Sequence, residues 1–305
     1  MTEYTADATL TGITLAYRNT EYIADKIFKR VPVSTESFKY KKYDKSLNLM
    51  LPDSTVGDTG HPNEVKFKHE KITASVRGDA LVDYISQNDV EEAGAESENL
   101  FTSVTEALTD TFLACREKRL ADMLQDASNY KSNVKTLTSS EKFTLANVDA
   151  FDIIDSAMDN VWFKPNVMVG SRLAINALRR NPYVVKAANK NSGDSGKATL
   201  QDLKDIFELN EIYVGNSFVN TSKRGQTENY VNTWGNAIML LYINPAAVLN
   251  HGLTFGLTAE RGKRKITKMF DGERGTDGVH CIKIAERIGD VIIAPECGNL
   301  IKNIY

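Results

Sequence analysis

The chain has 305 residues, with 40 Asp and Glu against 37 Lys and Arg and a formal net charge of −3. Hydrophobic residues make up 42% and charged residues 25%, a globular composition that excludes a disordered or fibrous chain. The near-neutral charge argues against a dedicated nucleic-acid binder, whose footprint is strongly basic. Three widely spaced cysteines (Cys115, Cys281 and Cys297) read as reduced cytosolic thiols rather than a disulfide framework.

The opening MTEYTADATL is acidic and polar, without the basic and apolar regions of a signal peptide. Residues 1–35 are weakly periodic. A short amphipathic turn is expected at 22–28, with Ile23, Ile27 and Phe28 on one side. Val31-Pro32-Val33 is extended, because proline disfavours helix in the residue before it. The stretch reads as an ordinary N-terminal extension or as an arm lying on a partner.

From 36 to 77 the pattern becomes short alternations. Phe38, Tyr40 and Tyr43 alternate with Lys39, Lys41 and Lys42, and Val65, Phe67, Ile72, Ala74 and Val76 mark the return. LPDSTVGDTGHPN between them is turn chemistry. Together they predict a long two-stranded hairpin with a wide tip. An isolated hairpin is marginal in water, so this one needs a surface in its own subunit or in a neighbour.

Residues 79–98 carry seven acidic groups and no Lys or Arg, whereas the hairpin flanks carry Lys39, Lys41, Lys42, Lys45, Lys66, Lys68 and Lys71. These are solvated faces, or the basic hairpin meets the acidic segment across a subunit contact. In the second reading Lys39, Lys41 and Lys42, flanked by Lys66 and Lys68, seat on Glu91 and Glu92, setting register more than affinity.

A helix is predicted over 97–127, with Phe101, Val104, Leu108, Phe112, Cys115, Leu120, Met123, Leu124 and Ala127 at 3-and-4 spacing. About 30 residues at 1.5 Å rise make a spine of roughly 45 Å. Its heptads do not repeat with ordered flanking charges, which favours a single helix over a coiled coil.

An α/β layer follows. Helix 148–162 turns Phe151, Ile154, Met158 and Trp162 inward. Strand 166–170 leads to Ser171, which caps a helix ending at Asn181 before Pro182. Residues 189–197 read as a flexible loop, 200–207 as a helix, 211–215 and 237–243 as strands. Between Glu228 and Glu260 only His251 can carry charge, yet the apolar centre is far short of the ~20 residues of a membrane span. It reads as a fully buried strand. The tail holds strands near 252–258, 280–287 and 291–294, with the basic run ERGKRKITK between them.

Motifs for chemistry are weak. Gly193-Asp194-Ser195-Gly196 lacks a positioned histidine and the right fold pattern for a serine protease. Gly196-Lys197-Ala198 lacks the first Gly and the Ser or Thr of a P-loop. Ser139-Ser140-Glu141-Lys142 lacks the partner motifs of penicillin-recognising enzymes and reads as a helix cap. Asp149, Asp152, Asp155 and Asp159 line one helix face and read as solvated, with no second carboxylate-bearing helix to make a cation site. His69-Glu70 lacks the second histidine of a zinc protease. No catalytic residue, metal ligand or cofactor is expected.

The order of elements, with ADKIFKRVPV at 24–33, LPDSTVGDTGHPNEVKF at 51–67, KPNVMVGSRLAINALRRNPYVVKAA at 164–188, LQDLKDIFELNEIYVGNSFVNTSKRGQ at 200–226, Trp234-Gly235 and Thr254-Phe255-Gly256, resembles the major capsid proteins of tailed bacteriophages. The resemblance implies the α+β Hong Kong 97-like fold: N-terminal arm 1–35, extended hairpin loop 36–77, peripheral domain with spine helix 78–146, axial domain 147–250, and strands 251–305 returning to the peripheral domain. It implies hexamers and pentamers closing an icosahedral shell around packaged double-stranded DNA, contacted non-specifically. Portal, decoration protein and a separate scaffolding protein are the implied partners, although a cleaved prodomain is also compatible. The lysine–asparagine cross-link of some relatives matches no positions here. The rival readings are an encapsulin-type compartment of the same fold and an α/β enzyme without a recognisable motif.

Overall fold

The computed structural model describes residues 5–17, 19, 21–43, 54–56, 60–61, 64, 70–189, 195–222 and 225–305. Most of the hairpin tip, Lys45, Lys66, Lys68, His69, Gly193 and Asp194 lie outside them.

Strand β1 (Thr5–Ala6) and helix α1 (Ala8–Ala16) come first, the helix capped by Asp7 accepting the Leu10 N–H. Helix α2 (Ala24–Ile27) leads into β2 (Arg30–Pro32). Strands β3 (Ser37–Lys42) and β4 (Glu70–Ser75) pair antiparallel, from Ser37 opposite Ser75 to Lys42 opposite Glu70. Then come β5 (Arg77–Ser86), α3 (Gln87–Ala93) and the 29-residue α4 (Ser97–Gln125). Gly94 at φ +51° makes the turn between the two helices, a backbone angle that favours glycine.

The next elements are β6 (Val134–Thr136), α5 (Ala150–Asp159), β7 (Val167–Ser171), α6 (Arg172–Arg180), α7 (Pro182–Ala188), α8 (Leu200–Phe207), β8 (Glu211–Gly215), β9 (Phe218–Asn220), β10 (Tyr230–Asn232) and β11 (Ala237–Leu241). Local chemistry sets the helix starts: Asp149, Ser171, Asn181 and Thr199 each accept a backbone N–H at an N-cap, and Thr199 with Asp202 closes a capping box. Strands β12 (Gly256–Glu260), β13 (Lys265–Asp271), β14 (Val279–Ile292) and β15 (Gly298–Lys302) complete the chain.

Two sheets dominate. One has the order β6-β15-β11-β7-β8. Its strands alternate Met168, Ile238, Leu240 and Ile301 toward α5–α8, and Val167, Val169, Met239, Leu241 and Leu300 toward α4. The other is built on β14, which pairs with β5, β13 and β12, while β1 and β2 add at the edges. Helices α1 and α4 cover one face of it through Leu10, Phe101, Leu108, Phe112, Ile266, Ile282 and Ile284. Helix α4 therefore spans both layers, its first half on one sheet and its second on the other.

Several expectations are corrected. Cys115 is exposed; Arg116 and Glu117 are buried in its place. The spine stops at Gln125, and Ala127–Tyr130 is a 3-10 turn. The basic run holds strand β13, and 280–287 with 291–294 are one continuous strand. The 252–258 strand lies at Gly256–Glu260. Ser139 to Lys142 forms a turn closed by the Glu141 N–H on the Thr138 carbonyl, not a helix cap. Helix α1 and strands β1 and β6, unread in the sequence, are present. The described part of 5–33 packs on its own chain, with β1 paired to β13 and Leu10 in the core.

Candidate assembly surfaces and the joint between the sheets

The second half of α4 holds the two sheets together through buried polar groups. The Glu117 carboxylate accepts the N–H of Ile23 (3.0 Å), the N–H of Ala24 (2.8 Å) and the indole N–H of Trp234 (2.7 Å). Burial raises its pKa above the ordinary carboxylate value, and these donors only partly offset that. Two turns on, Gln125 accepts the Gly235 N–H (2.6 Å) and donates to the Thr233 carbonyl (3.3 Å). The Trp234 ring fills the space where a Cβ on Gly215 would stand, so only glycine fits at the end of β8. One helix thus grips the N-terminal segment and the strand entering the five-stranded sheet.

A second network ties the N-terminal segment to the other sheet. Asp25 lies between Arg30 (2.9 Å) and Arg116 (3.0 Å), and Arg30 also meets Glu260 (2.6 Å) and Glu286. Arg116 donates to Thr258 Oγ1 (3.2 Å). Burial raises the Asp25 pKa, but Arg116 and Arg30 outweigh it and hold the carboxyl below its ordinary value. These groups line an open cleft of about 610 Å³ between α2, α4 and the sheet. Each charge faces an opposite one, which makes a clamp.

The sequence-selected lysines and glutamates are placed apart. Phe38 and Tyr40 are buried against Leu249, Leu257, Val291 and Ile293, so the base of the hairpin lies on its own subunit. Lys39 is exposed, and Lys41 and Lys42 are half-buried on β3. Glu91 and Glu92 are exposed on α3. The hairpin joins β5 at Val76 and α3 leaves it at Gln87, so a strand of ten residues, about 33 Å at 3.3 Å per residue, separates the two groups. Within one subunit they do not meet. Lys66 and Lys68 fall outside the described residues. Sequence reasoning missed Arg116 and Glu117, although Arg116 stands four residues from both Phe112 and Leu120, inside the apolar stripe.

Two sheets bridged by one long helix, with a clamped N-terminal segment and a hairpin leaving one side, are the architecture of Hong Kong 97-like capsid subunits. No family model matches the chain. It is 32% identical over 298 residues to the major capsid protein of Pseudomonas phage JBD67, spanning 97% of this chain and 96% of the relative. It is 27% identical over 252 residues to that of Burkholderia phage BcepMu, spanning 78% and 76%. Among solved structures, a phage-related protein from Bordetella bronchiseptica superposes with a TM-score of 0.74 at 18% identity, over 99% of this chain and 98% of that one. The capsid of cyanophage P-SCSP1u gives 0.61 at 11% identity over 94% and 89%, and an encapsulin of Synechococcus elongatus 0.53 at 10% over 98% and 96%. These structures share the fold. The chain belongs to the family of phage major capsid proteins. It is a structural subunit of the head of a tailed phage, a component of the virion that assembles into an oligomeric shell.

Proposed function

We propose that this chain forms hexamers and pentamers that close an icosahedral shell around packaged double-stranded DNA. The lysine set on β3 and the glutamate set on α3, held beyond opposite ends of β5, support the reading. Lys39, Lys41 and Lys42, with Lys66 and Lys68, seat the hairpin of one subunit on Glu91 and Glu92 of the next. In this reading 1–35 is the N-terminal arm, 36–77 the hairpin loop overlying a neighbour, 78–146 the peripheral domain, 147–250 the axial domain, and 251–305 returns to the peripheral domain. Weak contacts repeated by symmetry stabilise a closed particle without tight pairwise affinity. A net charge of −3 suits a container that touches DNA without reading it. A separate scaffolding protein directs assembly in the host cytoplasm, a portal occupies one vertex, and no membrane takes part.

Electron microscopy of purified particles tests the proposal, together with nuclease-protected DNA content. DNA-filled shells with a portal vertex are expected. Portal-free shells that are empty or filled with enzyme point to an encapsulin-type compartment instead. Reversing Lys39, Lys41 and Lys42 to Glu is expected to impair assembly, and normal shells of unchanged salt sensitivity overturn the hairpin contact.

A further inference from the structure

The ribbon of β9 and β10 carries an aromatic face that its own subunit leaves open. Asn220 stands opposite Tyr230 and Asn232 opposite Phe218, which puts all four side chains on one face of the ribbon and Val219 with Val231 on the other. Phe218 is 53% exposed and Tyr230 63%. They are diagonal cross-strand neighbours, within reach of each other. The Val219 side faces α4 beside Cys115 and Arg119. The ribbon is ordered by its own hydrogen bonds: Asn220 accepts the N–H of Ser222 (2.9 Å) and of Asn229 (3.2 Å), and the Tyr230 hydroxyl donates to Glu228 (2.5 Å). Single exposed apolar side chains are ordinary, but two aromatics held together on one prearranged face are the make-up of an interface anchor.

The five-stranded sheet places a second, concave surface at the end where the ribbon leaves it. The ribbon leaves the sheet from β8, one edge strand, and β6 is the other edge. The chain ends of β8, β7, β15 and β6 all lie at the same end of the sheet, because Gly215 aligns with Ser171 and Thr136 with Lys302, while Lys302 faces Ala237 at the start of β11. There, between α6 and the segments that follow β6 and β15, a groove of about 570 Å³ is lined by Phe143, Leu173, Ala177, Arg180, Pro182 and Tyr305. Leu173 is 46% exposed. The groove supplies apolar walls for the rings, and Arg180 supplies a cation for an aromatic face and for Glu228.

We propose that the Phe218–Tyr230 face of one copy inserts into the Leu173–Arg180 groove of the next, a head-to-tail contact that closes a ring of subunits. Two different surfaces at the same end of one sheet give a heterologous interface, and such an interface closes when the rotation allows. The occupant is a second copy because both complementary halves belong to this one chain. The inference rests on the shell reading above and assigns the contact that builds its capsomers.

The test uses particles assembled from the full chain with Cys115→Ser, which removes the exposed native thiol, plus Leu173→Cys and Tyr230→Cys. Treatment with a short bismaleimide is expected to give a covalent ladder reaching the hexamer on a denaturing gel. Monomers only, from particles that have formed, overturn the proposal. If the double variant does not assemble, co-assembly of the two single variants mixed one to one replaces it, with covalent dimers expected and monomers only again overturning it. Failure of the unsubstituted chain to form any particle when it is produced in the host with the complete set of phage proteins, the scaffolding protein included, is a different result: it overturns the shell reading itself, and the ring contact with it. A cross-link to a different protein, without one between copies, assigns the aromatic face to that protein and also overturns the proposal.

Discussion

The five-stranded sheet and the sheet built on β14 bury their strands differently. In β11 every residue from Ala237 to Leu241 is buried, odd positions toward α4 and even ones toward α5–α8. In β14, Ile282, Ile284, Glu286 and Ile288 are buried while Lys283 and Arg287 are not. The first sheet is covered on both faces; the second is covered on both only at its β12 end, where Leu257, Ala259, Val291 and Ile293 meet the hairpin base, and along Ile282–Ile288 the helices cover one face. The difference matters for a shell subunit. The doubly covered sheet is a finished core, whereas the other leaves a mixed face around Tyr84, Lys283 and Arg287 that solvent or a neighbour must meet.

The largest expected effect tests that contrast directly. Met239→Ala and Leu240→Ala are consecutive, and each is expected to destabilise the unassembled subunit by about 2–5 kcal/mol in denaturant titration, because both side chains leave cavities. In β14, Ile282→Ala is expected to fall in the same range, but Lys283→Ala within about 0.5 kcal/mol. If Lys283→Ala equals Ile282→Ala, the second sheet has a covered outer face and the comparison breaks.

The same contrast explains what was legible in the sequence. Burial on both faces writes an unbroken apolar run, so NVMVG and AIMLL announced their strands to within two residues, and the half-buried edge strand EIYVG did so through its apolar centre. Burial on one face writes alternation with charge, so KITKMFD passed for a basic surface run and β14 was cut in two at Gly289. Helix α4 was legible in length because Phe101, Leu108, Phe112, Leu120 and Leu124 repeat at helical spacing. Its buried pair Arg116 and Glu117 was not, since a charge inside an apolar stripe is identified only by partners distant in sequence: Asp25, Ile23 and Trp234. The lysine and glutamate sets were visible as composition, but their separation along β5 needed the fold.

Next in size is the joint that unites the sheets. Trp234→Phe keeps the ring and removes the N–H, leaving a buried Glu117 oxygen short of a donor, and is expected to destabilise by about 1–3 kcal/mol. Gly215→Ala forces the Trp234 ring aside and is expected to destabilise by a similar amount, about 1–3 kcal/mol. Both should lower the thermal midpoint of the isolated subunit as one cooperative transition. Two separated transitions in Trp234→Phe would mean that this joint alone couples the layers, and an unchanged midpoint would mean that apolar packing suffices.

Smaller again are the opposed pH dependences of two carboxyls, the buried Glu117 and the solvent-facing Asp25. Glu117 has its folded pKa raised above 4.5, so the folded state binds the extra proton, and stability from this group is lost as pH rises from 4.5 through the folded value. Asp25 is depressed below 3.8, so its stabilisation is present above 3.8 and lost as pH falls through the folded value. Glu117→Gln should therefore flatten the slope above pH 4.5, and Asp25→Asn the slope below 3.8, in denaturant midpoints measured across pH. An unchanged profile in either variant removes that carboxyl from the balance.

The smallest effect lies on the sheet built on β14 itself. His280, near the start of β14, packs edge-on to Phe101 (5.4 Å) and against Phe270 (5.0 Å), and its Nε2 meets Gln87 Oε1 (2.9 Å). Burial, then the Lys268 ammonium, pushes its pKa below 6.5. The unfolded chain therefore takes up a proton at a higher pH than the folded one, so stability is full above 6.5 and declines as pH falls from 6.5 toward the folded value. His280→Asn should abolish this decline while leaving the carboxylate slopes in place, a thermal-midpoint difference smaller than any above because the ring is only partly enclosed. A decline that survives the substitution would assign it to other charges. Either result decides whether the outer end of β14 senses mild acid through one aromatic-lined histidine or the subunit does so through other charges.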